Sequence, residues 1–307
     1  MSVSATPIAT RTLTIGSRGS QLALWQARFV ASQLALAGVE THIEIIKTTG
    51  DHLQTASLAQ AGGKGLFTKE IEDALLNHSI DLAVHSLKDL PTESPEGLTI
   101  AAIPERENPF DAIVGSTLVD LRQRARVGTS SGRRAAQLRI LRPDLLIEPI
   151  RGNVDTRLRK QKAGEFDAIL LAAAGLRRLG LEAEIAQIFT AGELCPAPGQ
   201  GALAIQTRVN DDAEAICGRL NHAATSQAVR CERALLSTLG GGCQLPVGAF
   251  AEGHGTLRLL AVVVSPDGSK QLRVNLEACS DEPEQLGQRA AEELLSKGAA
   301  QLLAACD

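Results

Sequence analysis

Short apolar runs alternate with longer amphipathic stretches through most of this 307-residue chain, and that alternation leaves few architectures open. Leu13-Thr14-Ile15 reads as a strand and residues 16–20 as a turn. Ser20 is placed to cap a helix that Gly38 closes. Leu22, Trp25, Phe29 and Leu36 fall on one stripe of that helix and predict its core face. Strand 41–47, helix 66–78, strand 80–84 and strand 98–103 continue the pattern. A charged, proline-broken hinge follows at residues 105–109. Beyond it come strands near 110–114, 125–128, 145–148 and 167–172, with helices near 131–141 and 153–163. Such β-α-β alternation predicts mainly parallel sheets with helices packed on their faces.

Residues 195–202 form a second proline- and glycine-rich hinge, and Leu203-Ala204-Ile205 a strand after it. Two crossings let the chain return to its first sheet, as in hinged two-lobed binding proteins whose ligands sit in the cleft. From about residue 224 the pattern changes to one helix (224–239), strands 247–252, 256–264 and 270–277, and a closing helix after Pro283. The expected division is residues 1–104 with 200–222, residues 105–199, and residues 223–307.

Ligands of α/β sheets bind at the carboxyl ends of parallel strands, so polar clusters there carry weight. The densest is Val84-His85-Ser86-Leu87-Lys88-Asp89-Leu90-Pro91, where Pro91 and Pro95 forbid continuation as helix or central strand. Lys88 beside Asp89 is a candidate acid-base or charge-stabilising pair, though an ordinary polar turn has the same composition. Arg18 stands before a helix start, where free amides favour an anion. Thr129-Ser130-Ser131-Gly132-Arg133-Arg134 and Arg151-Gly152-Asn153-Val154-Asp155-Thr156-Arg157 repeat one device: strand end, cap residue, helix, arginines. Arginine suits carboxylates because its planar fork donates two parallel hydrogen bonds.

The net charge of −4 conceals an uneven spread: residues 122–162 hold twelve Arg/Lys against three acids. A basic segment in a mildly acidic chain suggests an anionic partner. Nucleic acid is a poor one, because no aromatic platform accompanies the charge and no recognition-helix pattern occurs. No apolar run reaches the about 18 residues of a membrane helix. Residues 1–10 read as a disordered leader without a secretory core, which predicts a cytoplasmic protein. The six cysteines show no C-x-x-C pairing and no metal spacing, which fits reduced thiols and no metal site. The loop Gly62-Gly63-Lys64-Gly65-Leu66-Phe67 lacks the spacing of a P-loop and fits a mobile lid or a surface loop. Cys243, after three glycines, reads by itself as a buried small hydrophobe.

Taken in order, Gly16-Ser17-Arg18-Gly19-Ser20-Gln21-Leu22-Ala23-Leu24-Trp25-Gln26-Ala27, the Gly-Gly-Lys-Gly-Leu-Phe loop, His85-Ser86-Leu87-Lys88-Asp89-Leu90-Pro91-Thr92, Gly-Thr-Ser-Ser-x-Arg-Arg, Arg-Gly-Asn-Val and Gly-Gly-Gly-Cys-Gln-Leu-Pro-Val-Gly resemble the porphobilinogen deaminase (hydroxymethylbilane synthase) family. The resemblance runs from about residue 12 to 250. It implies an α/β fold with two type II periplasmic-binding-protein-like domains on a double hinge and a small C-terminal α+β domain. It implies a monomeric transferase that joins four porphobilinogen molecules, releasing ammonia, into linear hydroxymethylbilane for haem biosynthesis.

A covalent dipyrromethane cofactor would be held by a thioether to Cys243. Asp89 would be the catalytic acid. Ser86, Lys88, Thr129, Ser131, Arg133, Arg134, Arg157 and Gln200 would hold the cofactor. Arg18, Ser20, Lys64, Phe67, Arg151, Arg157 and Arg178 would hold substrate. Each pyrrole brings two carboxylates, so a chain growing in a cleft needs fixed cations. Loss of ammonia from an aminomethyl-pyrrole leaves an electron-poor azafulvene, which a nearby carboxylate stabilises. Two positions depart from the pattern: Gly132 replaces a usual leucine, and Gln206 stands where an acid is common. A non-catalytic anion receptor is the rival reading, since it needs the arginines but not Asp89 or Cys243.

Overall fold

The computed structural model describes residues 12–48, 68–241 and 245–304. Lys64, Phe67 and Cys243, and the readings attached to them, lie outside the described residues, as do the leader and the loop 49–67.

The first sheet has five strands in the order β2 (Thr41–Ile45), β1 (Leu13–Ser17), β3 (Leu82–Ser86), β10 (Leu203–Arg208), β4 (Leu98–Ala102). β1 runs parallel to β2 and β3, whereas β10 is antiparallel to both its neighbours. The second sheet repeats this plan as β7 (Leu146–Glu148), β6 (Arg126–Gly128), β8 (Ala168–Ala172), β5 (Asp111–Val114), β9 (Ile185–Ile188). Here β5 is the antiparallel strand. In each sheet the reversed strand is the one reached just after the chain crosses from the other lobe. The chain crosses at 103–110 and returns at 189–202, so the two lobes are joined twice. This is the two-lobed, doubly hinged plan expected of the fold class.

Helix α1 (Gln21–Leu36) is capped by Ser20, whose hydroxyl accepts from the Ala23 amide. It turns Ala27, Val30 and Leu34 into the first core, alongside Leu13, Ile15, Leu82 and Val84. The expected stripe is therefore rotated: Leu36 is 83% exposed, and Leu22, Trp25 and Phe29 are half-buried. Trp25 stacks on Phe29 instead of entering the core. The other face of the sheet is covered by α2 (Lys69–Leu76) through Ile71 and Leu75. The strand expected at 80–84 lies two residues later, so His85 and Ser86 belong to β3.

The second lobe carries α3 (Gly132–Leu141), α4 (Val154–Lys162) and the six-residue α5 (Ala173–Arg178). Neither α5 nor β9 was legible in the sequence. β9 is an edge strand with only intermediate burial, so it lacks the apolar run of a central strand. Helix α6 (Asp212–Gly218) follows β10. The third unit packs α7 (Ala223–Thr238), α8 (Pro283–Ser296) and α9 (Ala299–Ala304) on an antiparallel sheet of β11 (Val247–Glu252), β12 (Thr256–Val264) and β13 (Gln271–Cys279).

One carboxylate ties the three units together. Glu232 of α7, wholly buried, accepts Arg106 Nη1 at 2.7 Å and Nη2 at 3.0 Å from the first crossing. It also accepts the Gly199 amide of the second crossing at 2.7 Å and the Ala251 amide of β11 at 2.8 Å. Arg233 beside it donates to the carbonyls of Leu90 and Pro91, just beyond Asp89.

Candidate active site

The parallel strands of both sheets deliver their carboxyl ends to one cleft of about 270 Å³ between the lobes. Arg18, Ser20, Ser86, Lys88 and Asp89 line it from the first lobe, and Arg134, Arg157 and Arg178 from the second. Ser86 ends β3, and a single 3-10 turn (Leu87–Asp89) buries Leu87 while leaving Asp89 exposed in the cleft wall. Gln26 of α1 holds the Ser86 hydroxyl at 2.8 Å.

Strand alternation sends His85 the other way. Its ring meets Gln206 Oε1 at 3.1 Å, and Gln206 Nε2 reaches Glu72 Oε1 of α2 at 3.3 Å. Because the amide nitrogen of Gln206 serves Glu72, its oxygen requires a donor, so His85 carries its proton on Nε2. Burial pushes His85 down to about 4, against the Gln206 bond and with the Arg18 charge. His85 is thus a neutral core histidine and not part of the cleft.

Five residues expected in the site stand behind it or beside it. Thr129 and Ser131 organise the turn into α3: Thr129 Oγ1 accepts the Ser131 amide, and Ser131 Oγ caps the helix through the Arg134 amide. Arg133 spends Nη1 on Asp111 Oδ2 at 2.7 Å and on the Cys195 carbonyl. Gln200, fully buried, donates to Pro109 O at 2.8 Å and Asp111 Oδ1 at 2.9 Å. Its oxygen accepts Lys88 Nζ and Arg134 Nη2, each at 3.4 Å. Arg151 is half-buried outside the wall, near enough to Arg157 for its charge to be felt there.

Asp111, the first residue of β5, organises this second layer and was missed in the sequence. It looks like a strand residue, and only the fold shows that it sits against Arg133 and Arg134. Burial would raise its carboxyl, but those two guanidinium charges hold it well below the usual range. The Asn153–Asp155 turn at the start of α4 also lines the cleft, as the repeated strand-end device suggested.

Much of the basic excess of residues 122–162 does not reach the site. Arg122 pairs with Asp167, Arg126 with Glu148, Arg142 with Asp144 and Lys162 with Glu184. The cations that do reach it are held in poor solvent. Burial pushes Lys88 down to about 8, with Arg134 adding to the effect and Asp89 and Asp111 opposing it. Burial likewise pushes Arg157 and Arg178 down to about 10. Each of these groups gains from an anion placed beside it. The donor set therefore fits a ligand with several carboxylates. Among the described residues no cluster of His, Cys, Asp and Glu could hold a metal ion.

Two family models match the chain. Porphobilinogen deaminase, dipyromethane cofactor binding domain, matches residues 13–215, and the porphobilinogen deaminase C-terminal domain matches residues 226–296. Porphobilinogen deaminase of Geotalea uraniireducens is 48% identical over 303 residues, covering 97% of this chain and 95% of that protein. The Thermus thermophilus protein of the same name is 50% identical over 302 residues, covering 96% of this chain and 99% of its own. Among solved structures, the methionine binding protein MetQ aligns with a TM-score of 0.45 at 11% identity, covering 68% of this chain and 89% of that one. The sequence matches extend across both lobes and the third unit alike, and the chain belongs to the porphobilinogen deaminase family.

Proposed function

We propose that this protein condenses four porphobilinogen molecules, with release of ammonia, into linear hydroxymethylbilane on a covalently held dipyrromethane. The observation that carries this reading is the cleft itself, which Asp89 lines together with Lys88, Arg134, Arg157 and Arg178 from two lobes. A receptor for carboxylates uses the cations alone. A deaminating condensation also uses a carboxylate among them, to hold a proton at the leaving amine and to balance the positive charge left on the pyrrole.

A dipyrromethane bound through Cys243 would supply an electron-rich pyrrole carbon as the nucleophile. Ser86, Lys88, Arg134 and Arg157 would hold its carboxylates, and Arg18, Ser20, Arg157 and Arg178 those of the incoming substrate. Lys64, Phe67 and Arg151 belong to the substrate side as well. Thr129, Ser131, Arg133 and Gln200 serve the cofactor from behind the wall by fixing Arg134 and Lys88.

The working division is residues 1–104 with 200–222, residues 105–199, and residues 223–307. The protein acts as a cytoplasmic monomer on a small molecule, without nucleic acid or membrane. Cys195, Cys217, Cys231 and Cys279 are free thiols, and among the described residues no helix is long and apolar enough to cross a membrane.

The test is intact mass after acid denaturation of protein made in a host that synthesises porphobilinogen. The mass should exceed that of the sequence by two linked pyrrole units, and Cys243→Ser should show the bare mass and no turnover. A bare wild-type mass would favour the receptor.

A further inference from the structure

Two residues of the α1 stripe that periodicity assigned to the core, Leu22 and Trp25, instead meet the opposite lobe. Trp25 and Phe29, one helical turn apart, stack with ring centroids 5.5 Å apart and planes within 4°. Over the Trp25 ring lies the Arg178 guanidinium, its central carbon 5.7 Å from the centroid. Trp25 belongs to the first lobe, and Arg178 to the last turn of α5 in the second. Arg178 Nη2 also donates to Gly201 O of the returning crossing at 2.7 Å. Among the described residues no carboxylate forms an ion pair with Arg178; the charge of Glu107 is felt there, but that carboxylate is paired with Arg177. At the same contact Leu22 faces Gly175, where an added Cβ would lie 3.8 Å from Leu22 Cδ2.

An aromatic face is an unusual way to hold an arginine at a carboxylate site, and its consequences differ from those of an acid. A neighbouring Asp or Glu would neutralise the guanidinium and occupy its donors. The electron-rich indole face attracts the cation while leaving its charge and its fork of N–H groups intact. A long side chain held this way has also lost its rotamer freedom before a ligand arrives.

We propose that Trp25 is a positioning residue, whose indole face holds the Arg178 guanidinium across the gap between the lobes so that Arg178 is presented, charged and pre-ordered, to a substrate carboxylate. This rests on the reading of Arg178 as a substrate-binding residue in the function proposed above.

Trp25→Leu removes the aromatic face, and Trp25→Phe keeps a smaller one. With enzyme shown by mass to carry its cofactor, Trp25→Leu should raise KM for porphobilinogen roughly two- to thirtyfold while kcat changes little, with Trp25→Phe in between. In an Arg178→Gln background Trp25→Leu should add nothing, because the group it positions is gone. Loss of packing alone would show neither the split between KM and kcat nor that non-additivity. Trp25 is the single tryptophan of the chain, so its emission reports this contact directly. Arg178→Gln should shift that emission without substrate present. An unchanged KM in Trp25→Leu, losses that multiply in the double variant, or emission indifferent to Arg178→Gln would each overturn the proposal. A wild type that consumes no porphobilinogen would sink the reading of function instead, and the emission measurement would still decide whether Trp25 holds Arg178.

Discussion

Lys88 and Asp89 are neighbours in the chain, yet the turn that carries them gives them different surroundings. Asp89 stands exposed in the cleft wall, whereas Lys88 is half-buried against Gln200 and Arg134. Positioned proton transfer is worth about 10²–10⁴ in rate. Asp89→Asn, in enzyme already carrying its cofactor, should therefore lose at least about a hundredfold in turnover, and Asp89→Glu less. Near wild-type consumption of porphobilinogen by Asp89→Asn would reduce Asp89 to a turn residue. For Lys88 the sign follows from the protonated form being the one that binds carboxylates. Burial lowers its pKa to about 8, so the cation is present below that pH and lost above it. The carboxylates of a bound cofactor would raise that value, so it is cofactor attachment to the bare protein that should show an alkaline limb, slowing as pH rises through about 8. Lys88→Arg, charged throughout the accessible range, should move that limb upward. An alkaline limb unmoved in Lys88→Arg would assign it to another group. His85 shows the limit of reading residues from neighbours: adjacency to Ser86 suggested one site, but strand alternation places the two on opposite faces.

At the scale of elements, strand-turn-helix units were readable because turn chemistry and periodicity act locally. Ser20 caps the helix that its position predicted, and the hydroxyl-rich turn expected before α3 supplies its cap, Ser131. The buried face of α1 was not readable, because the helix is apolar on more than one side. Ala27, Val30 and Leu34 enter the core with Phe29 packed at its edge, while Trp25 and Leu22 meet the other lobe. The crossings were legible from proline and glycine, but their contact was not. Gly201 has φ +87, and a Cβ there would lie 2.4 Å from the carbonyl of Glu107 on the other crossing. Both the backbone angle and the approach exclude a side chain. Gly201→Ala should lower unfolding free energy by about 1–3 kcal/mol, the cost of a strained backbone site. It should also raise KM, since Gly201 O anchors Arg178. Denaturant unfolding and steady-state kinetics on the same preparation check both, and a variant as stable as the wild type would remove the steric argument.

For the whole molecule, Glu232 is where both crossings and the third unit meet in one buried carboxylate. Glu232→Gln keeps the shape but leaves Arg106 without its counter-charge. Breaking a buried pair costs about 3–5 kcal/mol, so the variant should unfold at clearly lower temperature, and an unchanged thermal midpoint would contradict that role. The sequence by itself determined the alternation of elements, the two crossings, the clustering of arginines and hydroxyls at strand ends, and the family. These are local patterns, written in periodicity, caps and motif spacing. Only the tertiary structure decided which of those charges face the ligand. Arg133 and Arg134 are adjacent on one helix, yet Arg133 is spent on Asp111 and Cys195, while Arg134 also reaches the cleft. Arg178 is set by Trp25 of the other lobe and Gly201 of a crossing. The reason is physical: a charge's role depends on the partner it meets after burial, and those partners arrive from distant parts of the chain when the lobes dock.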